Sequence, residues 1–347
     1  MRPMRLLATA VMITAALAAP APANAQADAP IRLPRLNIDV KQTTTSGVSS
    51  GSYMATQMHV AYSDIVSGAG LVAGGPYGCA DNIPGAAPAL VALERCMQIT
   101  AGPPNLGQLV QNAQYREKSG AIDSLGNLRT ARVYLFSGAN DTVVNRAVVE
   151  SAAQFYEALK VPADSIRFVR NDDAAHAFIT DNFGAACSYL GGDYLNNCQY
   201  DQAGAIVQHL YPGTRIPNAP QASKAPVRFS QTEFIGDPSR SGMLDYGYLY
   251  VPESCGSGQQ CRLHIAFHGC EMSAEKIGDT FAVHAGYNRW ADVNNIVVLY
   301  PQIKQSAKPT SNPKGCWDWF AYTGYDYNLK SGFQPTAIRK MISALAG

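Results

Sequence analysis

The pentapeptide Gly47-Val48-Ser49-Ser50-Gly51 constrains this chain more than any other stretch of it. A strand-like run, Leu36–Thr44, precedes it, and a helix-like run, Ser50–Ser63, follows. A serine on a sharp strand-to-helix turn sits on strained backbone, and glycines flank it because side chains there would collide with neighbouring backbone. The spacing alone is a weak signal, since a Gly/Ser loop capping a helix has the same composition. The flanking runs supply the context that the turn requires.

The remainder of the chain repeats that alternation. Extended runs at Val66–Ala73, Ala131–Ser137, Ser165–Asn171, Val227–Phe234, Tyr246–Pro252, Arg262–His268 and Ile296–Pro301 read as strands. Val144–Leu159, Tyr200–Leu210, Ala282–Asn294 and Pro335–Ala346 read as helices. The pattern predicts an α/β sheet with helices on both faces. The 347 residues are 47% hydrophobic and 15% charged, which provides ample core and disfavours a coiled coil, a disordered tail or a nucleic-acid binder. With 27 basic side chains against 26 acidic ones there is no excess charge to gather phosphate or an anionic membrane, so a neutral partner is expected. The Pro-rich stretch Tyr211–Pro226 is the one candidate seam, and its length suits a connection within one domain.

Residues 1–25 read as a signal peptide. Arg2 and Arg5 form a positive n-region, Leu6 to Ala19 is apolar but too short to span a bilayer, and Ala23-Asn24-Ala25 offers the small residues of a cleavage site. Residues 26–347 are then expected to be exported as one catalytic domain without a membrane anchor, to the medium or the periplasm. Outside the cytoplasm eight cysteines favour disulfides, and no pair has zinc-ligand spacing. Proximity in sequence pairs Cys79 with Cys96, Cys187 with Cys198 and Cys255 with Cys261, leaving Cys270 and Cys316; composition alone permits other connectivities.

A serine hydroxyl is a poor nucleophile until a base takes its proton. Among six histidines, His59, His209 and His284 fall in helical patterns and His264 in a buried strand. His176 instead follows the strand Ser165–Asn171 in a loop, where an imidazole can reach over the sheet edge. Asp141, in Ser137-Gly138-Ala139-Asn140-Asp141, stands just beyond a strand's carboxyl end, where catalytic groups of open α/β sheets collect. It could equally cap the following helix, and the two roles are compatible. Asp172 and Asp173 are rivals, but both lie too close in sequence to His176 to approach its ring easily from behind.

Ser49, Asp141 and His176 follow in the order of the α/β-hydrolases. Such a fold normally places several strands before the serine turn, whereas only residues 26–48 precede it here. The missing strands lie after His176, and the helix Pro335–Ala346 would lead into the strand before Ser49 if the termini were joined. The chain therefore reads as a circularly permuted α/β-hydrolase. In the permuted half, Phe267-His268-Gly269-Cys270 is a strand end running into a glycine turn, and the backbone amides of Cys270 and Ser50 are the expected oxyanion donors. A bridge from Cys270 to Cys316 would hold that amide rigid.

With these segments and Gly315-Cys316-Trp317-Asp318-Trp319-Phe320, the chain resembles the poly(3-hydroxybutyrate) depolymerases with a permuted, type 2 catalytic domain. The matching motifs span almost all of residues 26–347. The resemblance implies a serine esterase that cleaves the polyester or its oligomers through an acyl-enzyme, with Ser49 as nucleophile, Asp141 and His176 as its partners, and Ser50 and Cys270 as oxyanion donors. It also implies an aromatic wall at Trp317 lining the substrate crevice. No metal or organic cofactor is expected, nor a nucleic-acid partner, and the chain should be monomeric. Many secreted relatives carry a linker and a separate polymer-binding domain after the catalytic one. None follows Gly347 here, which points to amorphous granules or soluble oligomers as substrate. A secreted carboxylesterase acting on feruloyl, acetyl or synthetic esters is the near alternative, and a non-catalytic binding protein the remote one.

Overall fold

A computed structural model describes residues 29–81, 83–307 and 311–347; the expected signal peptide lies outside the described residues. Its strands are β1 (Ile38–Val48), β2 (Val66–Val72), β3 (Arg132–Gly138), β4 (Ile166–Asn171), β5 (Phe178–Thr180), β6 (Ala185–Ala186), β7 (Leu195–Asn197), β8 (Val227–Ser230), β9 (Tyr246–Tyr250), β10 (Cys261–Phe267) and β11 (Ile296–Tyr300). The longer helices are α1 (Ser50–Ala61), α2 (Pro88–Arg95), α3 (Leu106–Lys118), α4 (Arg146–Ala158) and α5 (Gln202–Leu210). Short helices α6 (Pro238–Ser241), α7 (Glu253–Gly256), α8 (Ala274–Ile277) and α9 (Thr280–His284) precede α10 (Tyr287–Asn294) and the terminal α11 (Phe333–Ala346).

Eight strands form one sheet in the order β4-β3-β2-β1-β10-β11-β9-β8. From β4 to β11 every neighbour is parallel, whereas β9 runs antiparallel to both β11 and β8. Strand residues alternate between two cores, as pleating requires. Leu71, Val133, Leu135, Leu263, Ile265, Val297 and Leu299 face the layer of α1, α4 and α11. Val72, Tyr134, Phe136, Ala266, Val298 and Tyr300 face α5, α9 and α10. Helix α1 is buried along its whole length, so the turn that precedes it is anchored in the centre of the molecule.

This connectivity is that of a circularly permuted α/β-hydrolase. The order begins in space with β8 and β9, the last third of the chain, and ends with β3 and β4. At the seam the Leu36 amide donates to the Leu345 carbonyl at 2.7 Å, so the last turn of α11 rests on the lead-in to β1. A short connection there would restore the unpermuted order.

All eight expected strands of the large sheet form, with ends displaced by a few residues. The largest displacement is functional: β1 continues through Thr45-Ser46-Gly47-Val48, a small and polar run that reads as a turn, and so delivers Ser49 directly from the strand. Pairing holds that run extended, since Gly47 lies opposite both Phe267 of β10 and Leu71 of β2. The expected helix Ala282–Asn294 is broken into α9 and α10 by Gly286, whose φ of 96° no helix accommodates. The stretch 211–226 is irregular but tied to α10, with Arg215 N donating to Asn294 Oδ1 (2.7 Å) and Ser223 N to Asp292 Oδ2 (2.8 Å). The four cysteine pairs read from proximity all form, with Cα separations of 6.0, 4.7, 5.9 and 4.2 Å in chain order. Helices α2 and α3 and the small parallel sheet β5-β7-β6 were not legible in the sequence.

Candidate active site

Ser49 occupies φ 57°, ψ −121°, a region that a non-glycine residue enters only when its surroundings force it. The forces are visible. The Ser49 amide donates to Val72 O at 2.9 Å, and its carbonyl accepts from the Ser52 and Tyr53 amides as the helix begins. A Cβ on Gly51 would stand 2.3 Å from Phe267 O and 2.4 Å from His268 O; one on Gly47 would stand 2.3 Å from the Gly51 backbone. Both flanking glycines are therefore needed because β1, α1 and the end of β10 meet there without room for a methyl group.

The next two strand ends bring in Asp141 and His176. At Gly138 a Cβ would fall 2.1 Å from Ala174 O, so the exit of β3 lies hard against the loop that follows β4. Two bonds lock this approach: Ala139 N to Asn171 O (2.8 Å) and Asn140 N to Ala174 O (3.0 Å). Asp141 then accepts the Val143 and Val144 amides on Oδ1, each at 2.8 Å, while its Oδ2 meets His176 Nδ1 at 2.8 Å. The capping and orienting roles thus fall on different oxygens of one carboxylate. Because a carboxylate only accepts, Nδ1 carries the proton and Nε2 is left as the basic nitrogen. On its other side the His176 loop is held by Ala175 N donating to Cys187 O (3.0 Å), inside the Cys187–Cys198 bridge. Asp172 and Asp173 are exposed, away from the ring.

The Gly269-Cys270 turn completes the cluster. Gly269 approaches so closely that a Cβ there would lie 3.4 Å from the Ser49 Cβ. The amides on either side of Cys270 are engaged, Gly269 N with Met272 Sδ (3.3 Å) and Glu271 N with Lys314 O (2.7 Å). Ser50 heads α1, where an amide has no intrahelical partner. Its Oγ accepts the Trp317 amide at 3.3 Å, tying the serine turn to the loop that carries Cys316. Beneath the turn, buried His268 is held neutral by desolvation, pushed down to about 4. It donates from Nδ1 to Gly269 O (2.7 Å) and accepts Ile303 N on Nε2 (3.3 Å).

Ser49, His176 and Cys270 open into one cleft of about 460 Å³, walled chiefly by apolar side chains, among them Leu93, Met97, Val143, Trp319 and Phe320. Here one expectation is corrected. Trp317 does not line the cleft: its side chain is fully buried, edge-on to Phe267 and tilted over His268, behind the Gly269-Cys270 turn. The strand-end turn needs a large apolar support, and Trp317 provides it. Trp319, two residues on, reaches the cleft instead and stacks on Tyr53 with ring centroids 4.4 Å apart. Also missed were α2, which contributes Leu93, and the polar pair Tyr194 and Glu271. Pro88 at the first position of α2 was a usable signal for that helix.

Among the described residues no group of three or more His, Cys, Asp or Glu side chains is placed to hold a metal ion, and no helix is long and apolar enough to cross a membrane.

No family model matches the chain. A poly(3-hydroxybutyrate) depolymerase of Delftia acidovorans is 41% identical over 325 residues, which are 92% of this chain and 62% of that protein. A polyhydroxybutyrate depolymerase of Talaromyces funiculosus is 36% identical over 333 residues, 91% of this chain and 94% of that one. Among solved structures, the PHB depolymerase from Penicillium funiculosum superposes with a TM-score of 0.83 at 34% identity, covering 91% of this chain and 98% of its own. A serine-to-alanine variant of PHB depolymerase complexed with an R3HB trimer matches with the same figures. The chain thus spans a little over three-fifths of the Delftia protein and nearly all of the fungal one.

Proposed function

The chain belongs to the poly(3-hydroxybutyrate) depolymerase family, and from that premise we propose that it is an exported serine esterase hydrolysing poly(3-hydroxybutyrate) or its oligomers. One observation carries the reading: Ser49, on strained backbone, opens with the Asp141-oriented His176 into a single apolar cleft. Apolar walls suit a neutral, methyl-bearing chain of esters. The four disulfides support export to an oxidising compartment.

In this reading Ser49 attacks the ester carbonyl while Nε2 of His176 takes its proton. Asp141 holds the imidazole in the required tautomer and stabilises its charged form. The amides of Ser50 and Cys270 receive the oxyanion, and their rigidity means that no reorganisation accompanies charge development. His176 then protonates the departing hydroxyl, and water releases the acyl group by the same route.

The test is release of 3-hydroxybutyrate from amorphous granules by residues 26–347, with Ser49→Ala beside it. Release that vanishes in the variant supports both substrate class and nucleophile. A wild type that cleaves a short p-nitrophenyl ester but frees nothing from the polymer would transfer the chain to a carboxylesterase of other substrates.

A further inference from the structure

The cleft has two unlike ends. Toward α2 it is apolar, but beside the oxyanion turn stands a polar strap: Tyr194 Oη donates to Glu271 Oε2 at 3.2 Å, and Lys314 Nζ lies 3.6 Å from the same oxygen. Among the described residues lining the cleft, Glu271 and Lys314 are the only formally charged ones apart from what His176 acquires. Both halves of the strap are rigid. Tyr194 lies within the Cys187–Cys198 loop, and Glu271 and Lys314 flank the Cys270–Cys316 bridge and share the Glu271 N to Lys314 O bond. Tyr194 and Glu271 are also both in left-handed backbone, at φ 52° and 61°, which a protein maintains where a side chain must be aimed.

A carboxylate facing a neutral polyester calls for an explanation. Interior repeats carry only ester oxygens, which accept hydrogen bonds and give Glu271 nothing, so burying it against them would leave its remaining lone pairs unmet. The hydroxyl terminus is different, because it donates. Glu271 follows directly on Cys270, whose amide is assigned to the carbonyl under attack. A terminal unit on the acyl side bears its 3-hydroxyl only two carbons from that carbonyl, so this hydroxyl stays near the turn that carries Glu271. A carboxyl terminus would bring a second negative charge beside Glu271, which already has Lys314 as its counter-ion at 3.6 Å.

We propose that Glu271, braced by Tyr194 and Lys314, is a chain-end subsite that accepts a hydrogen bond from the terminal 3-hydroxyl of the substrate, favouring cleavage of units from the hydroxyl end. This rests on the esterase reading above. The experiment compares kcat/KM for the methyl ester of a 3-hydroxybutyrate trimer with that for the same trimer capped as its 3-O-methyl ether. Capping should lower the wild-type value about tenfold, the strength of a hydrogen bond to a charged acceptor. The ratio should fall toward one in Glu271→Ala and be reduced in Tyr194→Phe. A wild-type ratio near one, or a ratio that survives in Glu271→Ala, overturns the subsite while leaving the esterase reading intact. Cleavage of neither trimer, with p-nitrophenyl butyrate still hydrolysed, removes the polyester reading and the subsite together.

Discussion

Strand β10 carries a disulfide at each end, and the two should contribute different things. Cys255–Cys261 closes a loop of six residues at the amino end, whereas Cys270–Cys316 spans 46 residues at the carboxyl end beside Ser49. In the chain-entropy account the short loop contributes about 2 kcal/mol to stability and the long one about 4 kcal/mol. If loop closure were all, activity per folded molecule would be indifferent to either. The structure assigns more to the second bridge, because the Cys270 amide is fixed through its own side chain to the loop whose Trp317 backs the turn. Replacing the pair by alanine keeps the amide but frees its position, and an ångström of misplacement costs about 100-fold in rate. We therefore expect Cys270→Ala/Cys316→Ala to lose about 4 kcal/mol in urea unfolding, and about 10- to 100-fold in kcat toward p-nitrophenyl butyrate under conditions where circular dichroism shows it folded. Cys255→Ala/Cys261→Ala should lose about half the stability and keep kcat within twofold. Equal kcat losses in both variants, or none in the first, would refute the assignment of the bridge to the oxyanion turn.

Asp141→Asn should retain stability, since Oδ1 can still accept the two backbone amides, but should lower kcat by up to about 10⁴-fold because the amide favours the wrong imidazole tautomer; a loss under tenfold would contradict the orienting role. The two tryptophans should separate. Trp317→Ala removes a fully buried ring and should cost about 3–5 kcal/mol in unfolding, whereas Trp319→Ala should raise KM for oligomers severalfold with kcat on p-nitrophenyl acetate little changed. The reverse pattern would show that the cleft wall has been misread. Acid should destabilise the fold. Burial pushes His59 and His264 down to about 3 and His268 to about 4, so below the ordinary value of 6.5 the unfolded chain takes up protons that the native one refuses. Asp318 opposes them, because burial raises its carboxyl to about 6 and the native state keeps a proton that the unfolded chain releases above 3.8. From these four groups the net is two protons between about pH 6 and 4, or about 3 kcal/mol lost per unit of acidification. A urea midpoint unchanged between pH 7 and 5 would refute it.

What was legible in the chain follows from how local each cause is. Strands β3, β10 and β11 announce themselves because they are buried along nearly their whole length and hence largely apolar, whereas β4 and β8 at the two sheet edges are only partly buried. The cysteine pairs were readable because three of the four bridges close loops of 17 residues or fewer. Helix α2 escaped because its exposed Leu90 and Leu93 blur the apolar stripe that marks a surface helix. The small sheet escaped because two- and three-residue strands carry no period to detect.

The site divides along the same line. Ser49, Asp141 and His176 each stand just past a strand's carboxyl end or in the loop beyond it, and parallel neighbours bring such ends to one edge of the sheet whatever their order along the chain. That is why the permutation leaves the cluster of Ser49, Asp141 and His176 assembled: β1, β3, β4 and β10 present the same edge whether β10 is made first or last. The cleft walls obey no such rule. Trp317 and Trp319 are two residues apart in one irregular loop, and composition is silent on which faces the ester and which the core. The difference comes from contacts distant in sequence. Ser50 Oγ, 267 residues away, fixes the Trp317 amide, and the Phe267 ring meets its indole, turning that side chain inward. Tyr53 then stacks on Trp319 and holds it at the cleft. Strand ends can be inferred one element at a time, whereas a binding surface drawn from α2 and several loops distant in sequence requires all of them in place.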